Sequence, residues 1–321
     1  MSHISPSRRE VVLGALGAGA VLTVGVDALR EQAPVKPPGL RVAHLSDMHL
    51  KPEAQNGEGY AQALDSLKKL DPQPAFIVTG GDHVMDVMQS TRERGDVQWD
   101  LYQRVLEQNT KLKVYPVLGN HDVFGWRTKT PTTLPEDTPG YGKAMAMDRL
   151  GLKRTYYSFD GGGWKFVVLD NIARRGGGYY GDLGAEQTEW LHGELDANPS
   201  KPVCIFSHIP IASLCAFFFH YGGGKTPKEF WKIGDNLMHR DSKPLIALLA
   251  DHNVKLCVSG HIHLLDHVRY MGVDFVCDGA VSGGWWGGPF QECAEGYGVF
   301  DFYPDGTFDH RYVTYGWKAP K

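Results

Sequence analysis

Five short apolar runs in this chain each end in residues of the types that bind metal ions. Apolar runs of this length predict buried strands. In open α/β sheets, binding sites form beyond the carboxyl ends of the strands, so the five polar blocks are expected to meet at one place. The blocks are Asp47-Met48-His49 after residues 40–46, Gly80-Gly81-Asp82 after 75–79, Gly119-Asn120-His121-Asp122 after 114–118, His208 after 203–207, and Gly260-His261-Ile262-His263 after 256–259.

Two of these blocks carry ligand-type residues two positions apart. In an extended chain Asp47 and His49 point to the same side, as do His261 and His263, so each pair is expected to reach one metal cluster. The glycines before Asp82, Asn120 and His261 allow the backbone to turn sharply and leave room for ions. A single block of this kind is more often a capped turn, but five in order at strand ends indicate a functional site.

The remaining pattern predicts one domain. Strands and helices alternate along residues 40–118, which favours a largely parallel sheet with helices packed on it. Paired strands are expected near the end, at residues 266–277 and 298–315. The domain is predicted to span residues 40–315, followed by a tail over 316–321. Further helices are expected at residues 59–70, 97–108, 185–195 and 243–251.

Composition excludes some classes of protein. The chain has 321 residues, of which 42% are hydrophobic and 22% charged, as in ordinary globular proteins. The net charge of -4 comes without a Lys/Arg block, so no nucleic-acid platform is indicated. Five cysteines argue against a disulfide scaffold. Only Cys215 and Cys293 lie in loop-like sequence, and whether they pair is left open.

The first 33 residues are predicted to be an export signal. Arg8 and Arg9 precede an uncharged run over residues 11–26, which is shorter than the ~20 residues a membrane span needs. The arginine pair resembles a twin-arginine signal, which implies the twin-arginine export machinery as a partner and a periplasmic or extracellular location. A frayed tail and an uncleaved membrane anchor are the alternatives. A proline-rich linker over residues 34–39 follows.

The ordered blocks resemble the D-x-H, G-D, G-N-H-[DE], H and G-H-x-H motifs of the calcineurin-like metallophosphoesterase superfamily. The resemblance implies an α/β fold of the four-layer α/β/β/α sandwich type with mixed sheets. It also implies a dinuclear centre of two divalent or transition metal ions, with Mn, Fe and Zn as candidates. The implied ligands are Asp47, His49, Asp82 and His263 for one metal, and the shared Asp82 with Asn120, His208 and His261 for the other.

The same resemblance implies a reaction. Two cations about 3.5–4 Å apart lower the pKa of a shared water and clamp the phosphoryl oxygens. A metal-bridging hydroxide is then expected to attack phosphorus, while His121 assists the leaving group and Asp122 orients the His121 ring. A small phosphodiester is the favoured substrate. The alternatives are a phosphomonoesterase, a pyrophosphatase, a mononuclear zinc hydrolase and a catalytically silent metal-binding module.

Two further patterns concern the branch of the superfamily. Purple acid phosphatases carry a tyrosine at the position of Met85, so a ferric tyrosinate site is not expected. The segment from Gly181 through Gln187 to Leu191 is similar to the branch that contains bacterial cyclic-nucleotide phosphodiesterases. Part of this match, Trp190 with Leu191, is equally the core face of an amphipathic helix.

Substrate binding is assigned to residues near the blocks. Glycines flank a tryptophan pair and would let the indoles approach a ligand closely, and aromatic and histidine side chains lie beside the ligand blocks. The alternative for the tryptophans is packing at the edge of the sandwich. For His83 it is a supporting or packing role, and for the aromatic stretch that contains His220 it is a hydrophobic lid. The candidates are Trp285, Trp286, His220 and His83.

Overall fold

The computed structural model describes residues 39–53, 55–127, 134–219 and 233–320. The predicted export signal, most of the linker and His220 lie outside these residues. The strands are β1 (Leu40–Leu45), β2 (Phe76–Thr79), β3 (Lys113–Pro116), β4 (Tyr157–Gly161), β5 (Trp164–Val168), β6 (Ile172–Arg175), β7 (Gly178–Gly181), β8 (Val203–Phe206), β9 (Val254–Ser259), β10 (Asp266–Tyr270), β11 (Val273–Cys277), β12 (Gly296–Phe302) and β13 (Phe308–Thr314).

Five α-helices occur within the described residues, and none of them is long and apolar enough to cross a membrane. The longest helix begins after Thr91, whose hydroxyl accepts a hydrogen bond from the Arg94 N–H at 3.2 Å as a side-chain cap. The helices are α1 (Asn56–Leu67), α2 (Arg92–Asn109), α3 (Ala144–Leu150), α4 (Gly184–Asp196) and α5 (Ser242–Ala250).

Two mixed sheets form the centre of the fold. The first has the order β13-β12-β1-β2-β3, and the second has the order β10-β11-β9-β8-β5-β4. The strands β1, β2 and β3 are parallel, as the alternating pattern predicts, and β12 and β13 extend that sheet in antiparallel pairing. In the second sheet β5, β8, β9 and β11 run parallel, with antiparallel strands at both edges.

Three buried clusters hold the layers together. Val42, Phe166 and Phe300 belong to the cluster between the sheets. On the outer face of the first sheet α1, α2 and α3 pack through residues such as Trp99, and on the outer face of the second sheet α4 and α5 pack through residues such as Leu191. The predicted four-layer α/β/β/α sandwich with mixed sheets is confirmed.

One element was not predicted. The strands β6 and β7 form a separate two-stranded antiparallel sheet around the turn at Gly176-Gly177. The sequence Arg174-Arg175 followed by three glycines lacks the apolar alternation by which a strand is predicted. Ion pairs of Arg174 with Glu136 and of Arg175 with Asp235 hold this hairpin to neighbouring loops.

A buried ion pair joins β1 to β12. Arg41 lies directly opposite Asp301 and donates two hydrogen bonds to its carboxylate, one of them at 2.7 Å. Burial opposes the charged carboxylate, but the hydrogen bonds and charges of Arg41 and Arg311 together outweigh it and hold the pKa of Asp301 below its ordinary value. A group with a lowered pKa stabilises the fold above its unfolded pKa of about 4, and this contribution is lost as pH falls through the folded pKa.

We therefore expect Asp301→Asn to lower the free energy of unfolding by about 2 kcal/mol at pH 7, because it weakens a charged hydrogen-bond pair in a buried position. The difference from the natural chain should shrink below pH 4. Urea denaturation at pH 7 and pH 3 measures both. The exposed pair of Asp160 with Lys201 offers a control, since Asp160→Asn should cost less than about 0.5 kcal/mol. Equal losses in the two variants would contradict the assignment.

Candidate metal centre

The seven predicted ligands lie together where the strands β1, β2, β3, β8 and β9 end. None of them is more than 9% exposed. Six of them, together with His121, form three overlapping groups of histidine and aspartate side chains, in each of which the candidate ligand atoms lie within 4.8 Å of one another. The first group is Asp47, His49 and His263, and the second is Asp82, His208 and His261. The remaining one, His49, Asp82 and His121, overlaps both.

The predicted pairs converge through turns and not through extended chain. Asp47 and His49 have φ of 58° and 46°, and His261 and His263 have φ of 73° and 60°. Asp82 shares this left-handed region, at 52°. Non-glycine residues there are uncommon, and such residues cluster at functional sites, where surrounding contacts hold them. The convergence was predicted, but the extended geometry given as its cause was wrong.

Glycines make two of the close approaches possible. A Cβ at Gly119 would lie 2.2 Å from both the backbone nitrogen and Oδ1 of Asp82, and a Cβ at Gly260 would lie 1.8 Å from Oγ of Ser46. Contacts this short are excluded for any side chain. The glycines therefore leave room for the neighbouring carboxylate and hydroxyl, and the ligand loops can pack directly against each other.

The first group is formed by Asp47, His49 and His263. Oδ1 of Asp47 lies 3.3 Å from Nε2 of His263 and 3.8 Å from Nε2 of His49, and it is buried without a hydrogen-bond partner. The two imidazole Nε2 atoms are 3.0 Å apart. Buried polar atoms are normally satisfied, so an orphaned carboxylate oxygen facing two ring nitrogens fits a cation between them.

The second group is built around Asp82. Nε2 of His208 lies 3.2 Å from Oδ2 of Asp82 and 3.0 Å from Oδ1 of Asn120, and it is 3.1 Å from Nδ1 of His261. The same Oδ2 of Asp82 lies 3.6 Å from Nε2 of His49, in the first group. Its other oxygen accepts a hydrogen bond from the His121 N–H at 2.8 Å. One oxygen of Asp82 therefore faces both groups.

Backbone carbonyls orient three of the histidine rings. Nδ1 of His208 donates to the Gly80 carbonyl at 2.7 Å, Nε2 of His261 to Asn236 at 2.8 Å, and Nδ1 of His263 to Gly283 at 2.6 Å. Fixing one ring nitrogen in this way leaves the other free to bind a metal, as in most histidine metal sites. This orientation is a second, independent sign that the donor set fits metal ions.

Most pKa shifts in the cluster favour the forms that bind cations, which are ionised carboxylates and neutral histidines. Burial opposes the charged carboxylates, but nearby histidines hold the pKa values of Asp47 and Asp82 below their usual range. Burial lowers the pKa of His261 to about 4 and that of His49 well below its ordinary value. Burial would also lower the pKa of His208, but the charge and hydrogen bond of Asp82, the charge of Asp47 and the Gly80 carbonyl together outweigh it and raise the pKa to about 9. Cation binding must therefore release the His208 proton.

His121 differs from the other histidines of the cluster. Its Nδ1 contacts the Met85 carbonyl, its Nε2 is 4.0 Å from Oδ2 of Asp82, and its side chain is 31% exposed. The expected contact with Asp122 was wrong. The Asp122 carboxylate instead accepts hydrogen bonds from the backbone N–H of His83 and of Gly119, each at 2.9 Å. It therefore positions the loops that carry Asp82 and Asn120.

The candidate substrate residues divide into exposed and buried ones. His83 is fully buried between Thr79, at 2.7 Å, and Asp122, at 2.9 Å, so direct substrate contact was wrong for it. Trp286 is 2% exposed, so its assignment as a substrate-contacting residue was also wrong. Trp285 is 37% exposed, and its ring centroid lies 4.6 Å from that of His263. For Trp285 the assignment stays a prediction, and His220 is outside the described residues.

Several contributors to the site were missed. Ser46 donates a hydrogen bond to Oδ2 of Asp47, and the ring of Tyr179 in β7 lies 5.9 Å from that of His261. The orienting carbonyls carry no sequence signal, because every residue has one. The motif matched the ligands and left their supporting contacts unspecified. All five cysteines are free thiols, so Cys215 and Cys293 are not joined.

The four-layer fold and its Asp/Asn/His cluster define a metallophosphoesterase. The family model for calcineurin-like phosphoesterases matches residues 40–265, and the chain belongs to that family. It is 28% identical over 225 residues to the serine/threonine-protein phosphatase CPPED1 of Bos taurus, covering 69% of this chain and 63% of that protein. The corresponding Rattus norvegicus protein is 29% identical over 228 residues, covering 69% and 64%. The chain thus matches less than two thirds of the length of these relatives.

A solved structure supports the fold. A dimetal phosphatase from Danio rerio superposes with a TM-score of 0.60 at 14% identity, covering 87% of this chain and all of that one. At this identity the likeness concerns the fold alone. The sandwich predicted from the five blocks therefore agrees with an independently solved architecture.

Proposed function

We propose that this chain is a two-metal phosphoester hydrolase. The observation that carries the proposal is the position of Oδ2 of Asp82, 3.2 Å from Nε2 of His208 and 3.6 Å from Nε2 of His49. A carboxylate oxygen that faces two sets of ligands offsets the repulsion between two cations held close together. When bound, the cations would activate a water and neutralise the phosphoryl oxygens.

The residues that would hold them are those of the two groups. Asp47, His49 and His263 would bind one cation, and Asn120, His208 and His261 the other, with Asp82 shared. Mixed oxygen and nitrogen donors suit Mn, Fe and Zn, and affinity order alone does not choose among these. Metal identity is therefore a matter for elemental analysis of the purified protein.

His121 is the proton donor in this proposal. The Met85 carbonyl can only accept a hydrogen bond, so Nδ1 of His121 keeps its proton and Nε2 is the nitrogen that exchanges one. In the imidazolium form Nε2–H would donate to the leaving-group oxygen, which leaves a neutral ring still bonded to Met85. The partial exposure of the side chain, 31%, gives the substrate access to it.

A phosphodiester is the substrate we favour. Trp285 and Phe290 both flank His263, with ring centroids 4.6 and 5.8 Å from its own. An aromatic rim suits the second ester group of a diester better than the extra negative oxygen of a monoester. A phosphomonoesterase is the second candidate, because the matched relatives are named phosphatases.

The test compares bis-p-nitrophenyl phosphate with p-nitrophenyl phosphate on the metal-loaded full chain. The proposal expects the diester to have the higher kcat/KM. A preference for the monoester would move the assignment to a phosphatase on the same site. No hydrolysis across a panel of mono-, di- and pyrophosphate esters by protein that holds two metals would identify a silent metal-binding module and overturn the proposal.

We also propose that residues 1–33 direct export through the twin-arginine machinery, on the pattern of Arg8-Arg9 before an uncharged run. Replacing both arginines by lysine preserves charge but removes the paired guanidinium groups. In a bacterial host with this pathway, the natural chain is expected in the periplasmic or extracellular fraction and the double variant in the cytoplasm. Equal fractionation of the two would contradict the assignment.

A further inference from the structure

The rings of Trp285 and Phe290 form an aromatic wall on the His263 side of the candidate metal centre. The indole of Trp285 lies 4.6 Å from the His263 ring at an interplanar angle of 36°, and 6.0 Å from the His49 ring. Phe290 is 5.5 Å from Trp285 and nearly perpendicular to it, at 84°. Two ligand imidazoles and two larger aromatic rings are therefore in mutual contact at the edge of the cluster.

Trp285 and its neighbour Trp286 have opposite exposures. Trp286 is 2% exposed, and its Nε1 donates to the carbonyl of Met48 at 2.9 Å and contacts that of His49 at 3.2 Å. Its ring packs so closely on α1 that a Cβ at Gly59 would lie 2.1 Å from it. Trp286 is thus the anchor of this loop, while Trp285 keeps 37% of its surface open beside the ligands.

The backbone of the pair is held in an unfavourable conformation. Trp285 and Trp286 have φ of 53° and 71°, a region that bulky residues rarely adopt. Hydrogen bonds from the Trp286 N–H to Ser282 at 2.7 Å and from the Gly284 N–H to Gly288 at 2.8 Å maintain it. Strained backbone persists where surrounding contacts impose it, and such residues cluster at active sites and at loops that hold ligands. Within the described residues, Trp285 shares this conformation with five of the predicted ligands.

The His49 ring connects the aromatic wall to the proposed proton donor. The His49 ring contacts both His121, at 4.7 Å, and Trp285, at 6.0 Å. The indole therefore lies across the His49 ring from His121, and an ester group of a phosphoester held at the cluster could extend over the indole.

We infer that Trp285 is a specificity-determining residue that stacks on a planar ring in the ester group of the substrate. This inference rests on the proposed phosphoester hydrolysis and names its substrate class as aryl or nucleoside phosphoesters. A flat π-system gains from an offset contact with indole that a saturated ring of similar size lacks. Stacking of this kind is worth about tenfold in affinity.

The test uses ligands that bind without turnover. Benzylphosphonate and cyclohexylmethylphosphonate match in charge and approximate size and differ in planarity. Isothermal titration of the metal-loaded full chain should give about tenfold tighter binding of the benzyl compound. Trp285→Leu should bring the ratio near one, and Trp285→Phe should retain most of it. Trp190→Leu is the matched control, because Trp190 lies on α4 against Tyr156 and its loss should leave the ratio unchanged.

Paired hydrolysis assays separate the two levels of the proposal. Benzyl and cyclohexylmethyl phosphoesters should differ mainly in KM, and the difference should vanish in Trp285→Leu. Adenosine 5′-monophosphate against ribose 5-phosphate tells a nucleobase from a simple aryl group. An unchanged benzyl preference in Trp285→Leu, or equal weakening of both phosphonates, would overturn the inference. Absence of hydrolysis of mono-, di- and pyrophosphate esters alike in the natural chain would instead overturn the proposed function, while the binding ratio still decides the role of Trp285.

Discussion

Asp82→Asn is expected to lower kcat/KM by on the order of 10³-fold, about 4 kcal/mol of transition-state stabilisation, and to reduce metal content. The reason is geometric, because Oδ2 of Asp82 faces both ligand groups and supplies the negative charge that two nearby cations require. The substitution keeps an oxygen for the His121 N–H, so the loop should retain its conformation.

Steady-state kinetics and elemental analysis of the same preparation measure both effects. The control is Asp65→Asn, which changes an exposed carboxylate paired with Lys68 on the surface of α1 and should leave both quantities unchanged. Retention of two metals per chain together with more than a tenth of the natural activity in Asp82→Asn would rule out a shared carboxylate as the centre of the site.

His121→Ala is expected to lower kcat by on the order of 10³-fold while the metals stay bound. Its Nε2 is 4.0 Å from the nearest oxygen of Asp82, and its Nδ1 is committed to the Met85 carbonyl. A proton donor matters most for a poor leaving group. The loss should therefore be larger for an alkyl phosphoester than for a p-nitrophenyl ester, whose leaving group departs without a proton.

Comparing the two esters separates a proton donor from a ligand. If His121 bound metal instead, His121→Ala would lose metal and affect both esters alike. His192→Ala supplies the control, since His192 is an exposed residue of α4. A kcat within a few-fold of the natural value on the alkyl ester would show that His121 has no part in proton transfer.

The sequence predicts that the seven candidate ligands lie together, because each of them follows a strand. Asp47, Asp82 and His208 come two or three residues after β1, β2 and β8, and the carboxyl ends of parallel strands lie at one edge of a sheet. The antiparallel pair β12 and β13 was predicted from its local pattern, and the mixed character of the two sheets came through the family resemblance. The order of the strands within each sheet was not predicted. Local pattern alone does not specify which distant strands pair.

Other features depend on tertiary contacts that no local pattern reports. Asp122 follows His121 directly, yet its carboxylate reaches His83, in the loop after β2. Trp285 and Trp286 are adjacent and chemically identical, and only the packing of one on α1 distinguishes them. In an irregular loop there is no periodicity from which to infer the buried side.

Stepwise metal loading of the full chain tests the central claim most directly. The protein is first freed of metal by chelation, then titrated with Mn²⁺ or Zn²⁺, and each sample is measured for metal per chain and for hydrolysis of bis-p-nitrophenyl phosphate. If two metals share Asp82, full activity is expected to require two equivalents of metal per chain. Full activity at one equivalent, or two bound metals without hydrolysis of any phosphoester, would contradict it.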